Sequence, residues 1–223
     1  MVNNKFSFEN IVSKYLVNQF EGQINTGKMM SALLQKAQSL GVQILNNILV
    51  KDYTEGLDKI NINTGIGDIQ TRKLLFATNG FSKAFFKEDV IPARAQVLVT
   101  KPIAKLPIKG TFHLEEGYYY FRNIDNRILF GGGRNLDFQT EETTEFGRTT
   151  LVQEKLEEIL RMVILPKTEF EIDQRWSGIM GVGSKKKAIV KQMSNHVYCG
   201  VRLGGMGVAI GSIIGKDLAE LTC

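Results

Sequence analysis

Gly200-Val-Arg-Leu-Gly-Gly-Met-Gly-Val-Ala-Ile-Gly-Ser-Ile-Ile-Gly-Lys-Asp-Leu-Ala-Glu-Leu221 is the stretch on which the reading of this chain turns. An apolar run, Val197 to Val201, leads into Gly200, Gly204, Gly205 and Gly207. A helix of small residues is then predicted from Gly207 or Val208, with Ile210, Ile214, Leu218 and Leu221 at helical spacing. Glycine permits positive φ and close backbone approach. A helix that begins there aims unpaired N–H groups and the positive end of its dipole at whatever lies in front of it. Two readings stand on these residues alone: a tight turn into a packed helix, or a site for an anion or a group that becomes anionic during chemistry.

Outward from that stretch, the composition is that of an ordinary soluble globular chain. The 223 residues are 43% hydrophobic and 23% charged, enough for one large domain or two small ones. No apolar run approaches the roughly 20 residues that span a bilayer, and the opening residues have no signal-peptide pattern. Cys199 and Cys223 offer no disulfide framework, so a reducing cytoplasm is expected. The net charge is +5, concentrated at Lys185-Lys186-Lys187. Without interleaved aromatics this cluster reads as a solvated hairpin tip and not as a nucleic-acid surface. Homo-oligomerisation is left open.

The pattern along the chain predicts a mixed α/β or α+β fold without internal repeats. A helix is expected over 26–40, capped by Thr26 and closed by Gly41, with Met29, Met30, Leu33, Leu34, Ala37 and Leu40 as its stripe. Strands are expected over 42–50, at Ile60–Asn63 and Gly67–Thr71 as a hairpin, and over 73–77. The middle is strand-rich: 92–100, 110–113, 118–122 and 127–130, with turns at Glu116-Gly117 and Asp125-Asn126. A long helix is expected over 144–163, stopping before Pro166. A strand over 169–176, a loop over 178–183 and the lysine hairpin complete the path to the terminal strand and helix.

Several motifs carry chemistry weakly. Gly22-Gln-Ile-Asn-Thr-Gly27-Lys28-Met29 approaches a phosphate-binding loop, but Met29 stands where Ser or Thr would hold Mg²⁺. With only His113 and His196, and no clustered ligands, no metal site is expected. The carboxylates Glu141-Glu142 and Glu154 to Glu158 read as solvated helical surface. In Tyr118-Tyr-Tyr-Phe-Arg122, strand alternation puts Tyr119 and Phe121 on one face and Tyr118, Tyr120 and Arg122 on the other. One face must pack, and the other can wall a cavity for a small amine or amino acid. Ala77-Thr78-Asn79-Gly80 ends a strand in turn-forming residues, which suits a strand terminus that meets a ligand.

Taken in order, these pieces resemble the flavin-dependent amine and amino-acid oxidoreductases of the D-amino-acid oxidase type, glycine oxidase and sarcosine oxidase among them. The similarity lies in the helix and following strand after Gly22, in Ala77-Thr-Asn-Gly80, in Ile91-Pro-Ala-Arg-Ala-Gln96, in Trp176-Ser-Gly178-Ile-Met, and in Gly204-Gly-Met-Gly207 with its helix. The resemblance implies an antiparallel-rich substrate sheet with flanking helices over 91–167. It also implies the remainder of an FAD-binding α/β domain over 1–90 and 168–223. Non-covalent FAD would be held by Ala77, Thr78, Gly80, Gly178, Gly204, Gly205, Met206, Gly207 and Val208. Tyr119, Tyr120 and Trp176 would enclose a small amine or amino acid. The carboxylate grip would fall to Arg202 first and Arg122 second, with an internally paired charge as the other reading of Arg202.

The implied reaction is oxidation of a C–N bond by hydride transfer to FAD. No catalytic residue is singled out. The family's Gly-x-Gly-x-x-Gly turn for the FAD pyrophosphate does not occur in these residues. The chain therefore resembles the carboxy-terminal part of such an enzyme, expected by itself to bind FAD weakly or not at all and to be inactive. A non-catalytic ligand-binding or assembly domain is the alternative.

Overall fold

The computed structural model describes residues 6–12 and 15–223. Along the chain, α1 (Thr26–Ser39) precedes β1 (Val50–Glu55), β2 (Ile60–Thr64), β3 (Gly67–Thr71) and β4 (Leu74–Phe76). Next come β5 (Ile91–Thr100), β6 (Thr111–Leu114), β7 (Tyr119–Ile124) and β8 (Arg127–Gly132), then the short α2 (Phe138–Glu141) and α3 (Thr150–Ile159). The chain closes with β9 (Ile172–Val182), β10 (Ile189–Gln192), β11 (Val197–Val201) and α4 (Gly207–Glu220). This is the mixed α/β architecture that the sequence pattern predicts.

Two compact units result. The sheet unit combines Met1–Asn25 with Arg94–Ile179, and the loop unit combines Thr26–Ala93 with Met180–Cys223. The expected grouping set residues 1–25 and 168–179 with the flavin part, whereas by compactness they go with the sheet unit.

In the sheet unit, five strands run in the order β6-β7-β8-β5-β9. The β7–β8 hairpin turns on Asp125 and Asn126, both at positive φ (47° and 60°), which matches the right-handed twist of the paired strands. One sheet face supplies Leu98, Tyr119, Phe121 and Phe130 to a core completed by Val152, Leu156 and Ile159 of α3. Phe112 stacks on Phe121 at 4.6 Å. Gly132 has φ +129°, and a Cβ there would stand 2.1 Å from the carbonyl oxygen of Tyr118, so β7 and β8 close only around glycine.

The loop unit holds two three-stranded sheets, β1-β2-β3 and β10-β11-β4. Strands β4 and β11 are parallel, with Leu74 opposite Val197 and Phe76 opposite Cys199. Their core is Ile60, Phe76, Val90, Val197, Cys199 and Val201. Helix α4 lies on β11 at Gly200, where Leu218 and Ile214 occupy the room a side chain would need. By contrast, α1 buries no residue.

Three expected elements differ. Residues 42–49 form no strand; pairing begins only at Val50, which meets Thr64. An apolar run becomes a strand only where a neighbour takes its backbone groups, and Asn47, at φ 59°, bends this one. The long helix starts at Thr150 and not at 144, because Gly147 (φ +149°) and the extended Thr149 cannot lie in a helical turn. It ends in a π-helical turn, Leu160–Ile164. The loop expected over 178–183 is largely the end of β9. Gly181 serves close approach there, not turning: its Cβ would fall 2.5 Å from Asn79 Oδ1.

Candidate functional site

The glycine-rich segment forms the loop that the sequence predicts. Gly204 and Gly205 take positive φ (58° and 80°), and Met206 caps α4, which begins at Gly207. Leu203 N donates to Asn79 Oδ1 at 3.1 Å, and Gly204 N donates to Gly181 O at 2.9 Å. The loop is thus tied to the end of β9 and to the Ala77-Thr78-Asn79-Gly80 turn. Gly80 is buried, Thr78 Oγ1 lies 3.0 Å from Ser82 Oγ, and Ala77 is exposed. Met180 Sδ closes one side of Gly205, and the space beside Gly204 is open. Among the described residues, the amides of Gly205, Gly207 and Val208 meet no acceptor. Three N–H groups thus stand at or just before the first turn of α4, where the helix dipole favours negative charge. The site residues read from sequence around Asn79 and Gly204 are brought together, but Asn79 itself, which makes the junction, is absent from that set.

Arg202 sits at the mouth of this loop with its guanidinium occupied. Its Nη1 donates to Asp89 Oδ2 at 2.6 Å and to Asp89 O at 3.1 Å, and its Nε donates to Lys187 O at 2.8 Å. The side chain is 9% exposed. Asp89 also accepts from the Ser184 hydroxyl and amide. Those Ser184 bonds, reinforced by Arg202, hold the Asp89 carboxyl below its ordinary range against the opposing effect of burial. This geometry is that of an internally paired charge, not of a free grip for a substrate carboxylate.

In the sheet unit the remaining residues divide by face. Tyr119 is 1% exposed and packs in the core; alternation along β7 sends it away from Tyr120, so its ring is packing and not cavity wall. Tyr120 faces the other way, opposite Gly131 and His113. A Cβ on Gly131 would be 2.9 Å from the Tyr120 hydroxyl and 2.4 Å from Val97 Cγ1, so glycine there makes room for the phenol. Burial pushes the Tyr120 phenol up, which keeps it a neutral donor. Arg122 lies two residues on, and its Nη1 donates to Ile24 O. Arg175 and Ser177 of β9 point to the core side, where they bond Gln153, Glu157 and Gly147 N. Trp176, 44% exposed, and Gly178 accordingly share the outer face with Tyr120 and Arg122.

Beneath that sheet lies a polar cluster that sequence reasoning missed. Glu141, expected on solvated surface, is 1% exposed. It accepts from Arg94 Nε (2.8 Å) and Nη2 (3.1 Å), from Gln96 Nε2 (2.8 Å) and from Thr149 Oγ1 (3.1 Å). Burial pushes its carboxyl up, but the Arg94 and Gln96 hydrogen bonds outweigh that and hold it low. The spacing Arg94-x-Gln96 was the available signal: alternation points both side chains to one face of β5. Nothing local marks Glu141 as their partner. Among the described residues no cluster of His, Cys, Asp or Glu is placed to hold a metal, and no helix is long and apolar enough to cross a membrane.

Comparison with known proteins agrees with this architecture. The family model for the DAO family, described as FAD dependent oxidoreductase, matches residues 7–221. The probable oxidoreductase OrdL of Haemophilus influenzae is 20% identical over 221 residues, covering 92% of this chain and 48% of that protein. Among solved structures, L-proline dehydrogenase from P. horikoshii superposes with a TM-score of 0.73 at 19% identity, over 88% of this chain and 55% of its own. Glycine oxidase from Bacillus cereus gives a TM-score of 0.74 at 16% identity, over 87% and 54%. The chain thus spans about half the length of these relatives. With the family match running over nearly all of its residues, the chain belongs to the DAO family of FAD-dependent oxidoreductases.

Proposed function

We propose that this chain carries the flavin-facing loop and the substrate-facing sheet of an oxidoreductase that oxidises the C–N bond of a small amine or amino acid. The residues assigned to flavin around Gly204 belong to the loop unit, and Tyr120, Arg122 and Trp176, assigned to substrate, belong to the sheet unit. The observation that carries the reading is the loop at the head of α4, whose Gly205, Gly207 and Val208 amides have no acceptor among the described residues of a DAO-family chain. These amides would receive the electron-accepting part of a bound flavin and not its pyrophosphate, whose fingerprint does not occur in these 223 residues. When bound, the flavin supplies the two-electron acceptor for C–N oxidation.

The chain's own residues supply position and electrostatics. The preorganised amides at Gly207 and Val208 stabilise developing negative charge without reorganising, as an oxyanion hole does. On the sheet face, Tyr120 offers a neutral hydroxyl and Trp176 an apolar wall that excludes water from the reacting carbon. Arg122 is the cation left for a substrate carboxylate, since Arg202 is spent on Asp89. The two unpaired cysteines, Cys199 and Cys223, support placing the protein in a reducing compartment such as the cytoplasm.

Titration of the 223-residue chain with FAD, a small amino acid and ATP tests this reading. Weak FAD binding without ATP binding is expected; ATP binding without FAD binding would favour the Gly22–Lys28 loop instead. A stoichiometric flavin absorbance band in the purified chain would overturn the expectation of weak binding. In a form that holds flavin, Gly207→Val should slow flavin reduction. An unchanged rate with flavin still bound would remove the loop from the mechanism.

A further inference from the structure

We propose that Arg202 and Asp89 form a clamp that sets the path of the glycine loop, making both of them positioning residues for whatever group the free amides receive. The assignment of that group to a flavin rests on the reading above; the clamp itself does not.

The starting point is a backbone outlier. Arg202 has φ +61°, a left-handed conformation that side chains with a Cβ avoid. Such a conformation persists only where its surroundings over-determine it. Here three strands of chain do so. Asp89 precedes β5 and takes Arg202 Nη1 on its Oδ2 at 2.6 Å. The same carboxylate accepts the Ser184 hydroxyl at 2.6 Å and the Ser184 amide at 3.1 Å, which fixes the base of the lysine hairpin. Arg202 Nε reaches back to Lys187 O across that hairpin. The junction has no slack: a Cβ on Gly183 would stand 2.5 Å from Asp89 O and 2.6 Å from Arg202 Cδ.

Residue 203 is held from the other side by Asn79, and residue 204 by Gly181. The chain is therefore pinned at 202, 203 and 204, up to the first of the two glycines that turn it toward α4. With the entry fixed, the direction of the Gly205, Gly207 and Val208 amides follows. Arg202 thus acts on the ligand through the loop and not by touching it.

Amide hydrogen exchange on the full chain tests the clamp without requiring a ligand. The probes are Leu203, Gly204 and Met206, whose amides are hydrogen-bonded. In Asp89→Asn and Arg202→Ala these three should exchange at least ~10-fold faster, with β11 amides changed by less than about 2-fold, the pattern of a local opening. Arg202→Gly should recover part of the protection, because glycine adopts the positive φ without a clamp. A residue that merely stabilised the fold would raise β11 exchange in parallel and would not be rescued by glycine. Either of those two results, or wild-type exchange in Asp89→Asn, overturns the clamp. An unchanged rate of flavin reduction in Gly207→Val, with flavin still bound, would count against the flavin reading alone.

Discussion

Helices α3 and α1 carry apolar stripes of similar spacing and meet opposite fates. In α3, Val152, Leu156 and Ile159 are buried against the β5–β8 face. In α1, no residue is buried, and Met30, Leu33 and Leu34 remain 58%, 55% and 45% exposed. Periodicity therefore encodes a helix and the side it wants covered, but not the presence of the cover. The difference extends to polar groups. Beneath the sheet, Glu141 is fully engaged by Arg94, Gln96 and Thr149, whereas the head of α4 keeps amides without acceptors among the described residues. One region has its interactions closed, and the other presents them outward.

That contrast can be broken most forcefully at Arg94. Arg94→Leu leaves Glu141 as an unpaired buried charge, and a loss of about 3–5 kcal/mol is expected from urea unfolding followed at the sheet unit. A cost below about 1 kcal/mol would mean that the cluster is wetter than its geometry implies. Leu156→Ala removes a side chain with no exposure and should cost about 2–5 kcal/mol. Leu33→Ala, the same change on α1, should stay within about 0.5 kcal/mol. Equal losses at the two leucines would show that α1 is covered in solution.

Acid sharpens the same comparison. Glu141 is held below its ordinary range in the folded chain, where hydrogen bonds outweigh burial. Its contribution is complete above the unfolded glutamate value of about 4.3 and is lost as pH falls through the folded value. The denaturation midpoint of the wild-type chain should hold from neutral pH to about 5 and drop in stronger acid; Arg94→Leu should drop less, with Asp89, also held low, still contributing. An unchanged wild-type midpoint in strong acid would contradict the assignment. The smallest effect is expected at the lysine tip, where Lys185→Ala in a solvated turn should move stability by less than about 0.5 kcal/mol in the same unfolding measurement.

Much of the fold was legible because its signals are local. Thr26 and Gly41 bracket a helix, Asp125-Asn126 turns a hairpin, and the small residues after Gly207 start α4 where expected. The errors fall where a distant partner decides. Residues 42–49 have strand composition but no pairing neighbour before Val50. Gly178 to Gly183 has loop composition but continues β9, since Gly181 is needed for contact with Asn79. For the proposed site, the sequence reading names the glycine loop, Tyr120, Arg122 and Trp176. It placed Tyr119 beside them, although that ring is core, and offered Arg202 as a substrate grip, although it is paired.

By itself the sequence determined the order and type of most elements, the family resemblance and the glycine loop at the head of α4, because turn chemistry and side-chain periodicity act over a few residues. Only the tertiary structure decided which charges are spent. Arg202 meets Asp89 across 113 positions and Arg94 meets Glu141 across 47. At such separations the pairing energy depends on where the backbone places two groups, not on either group's neighbours in the chain.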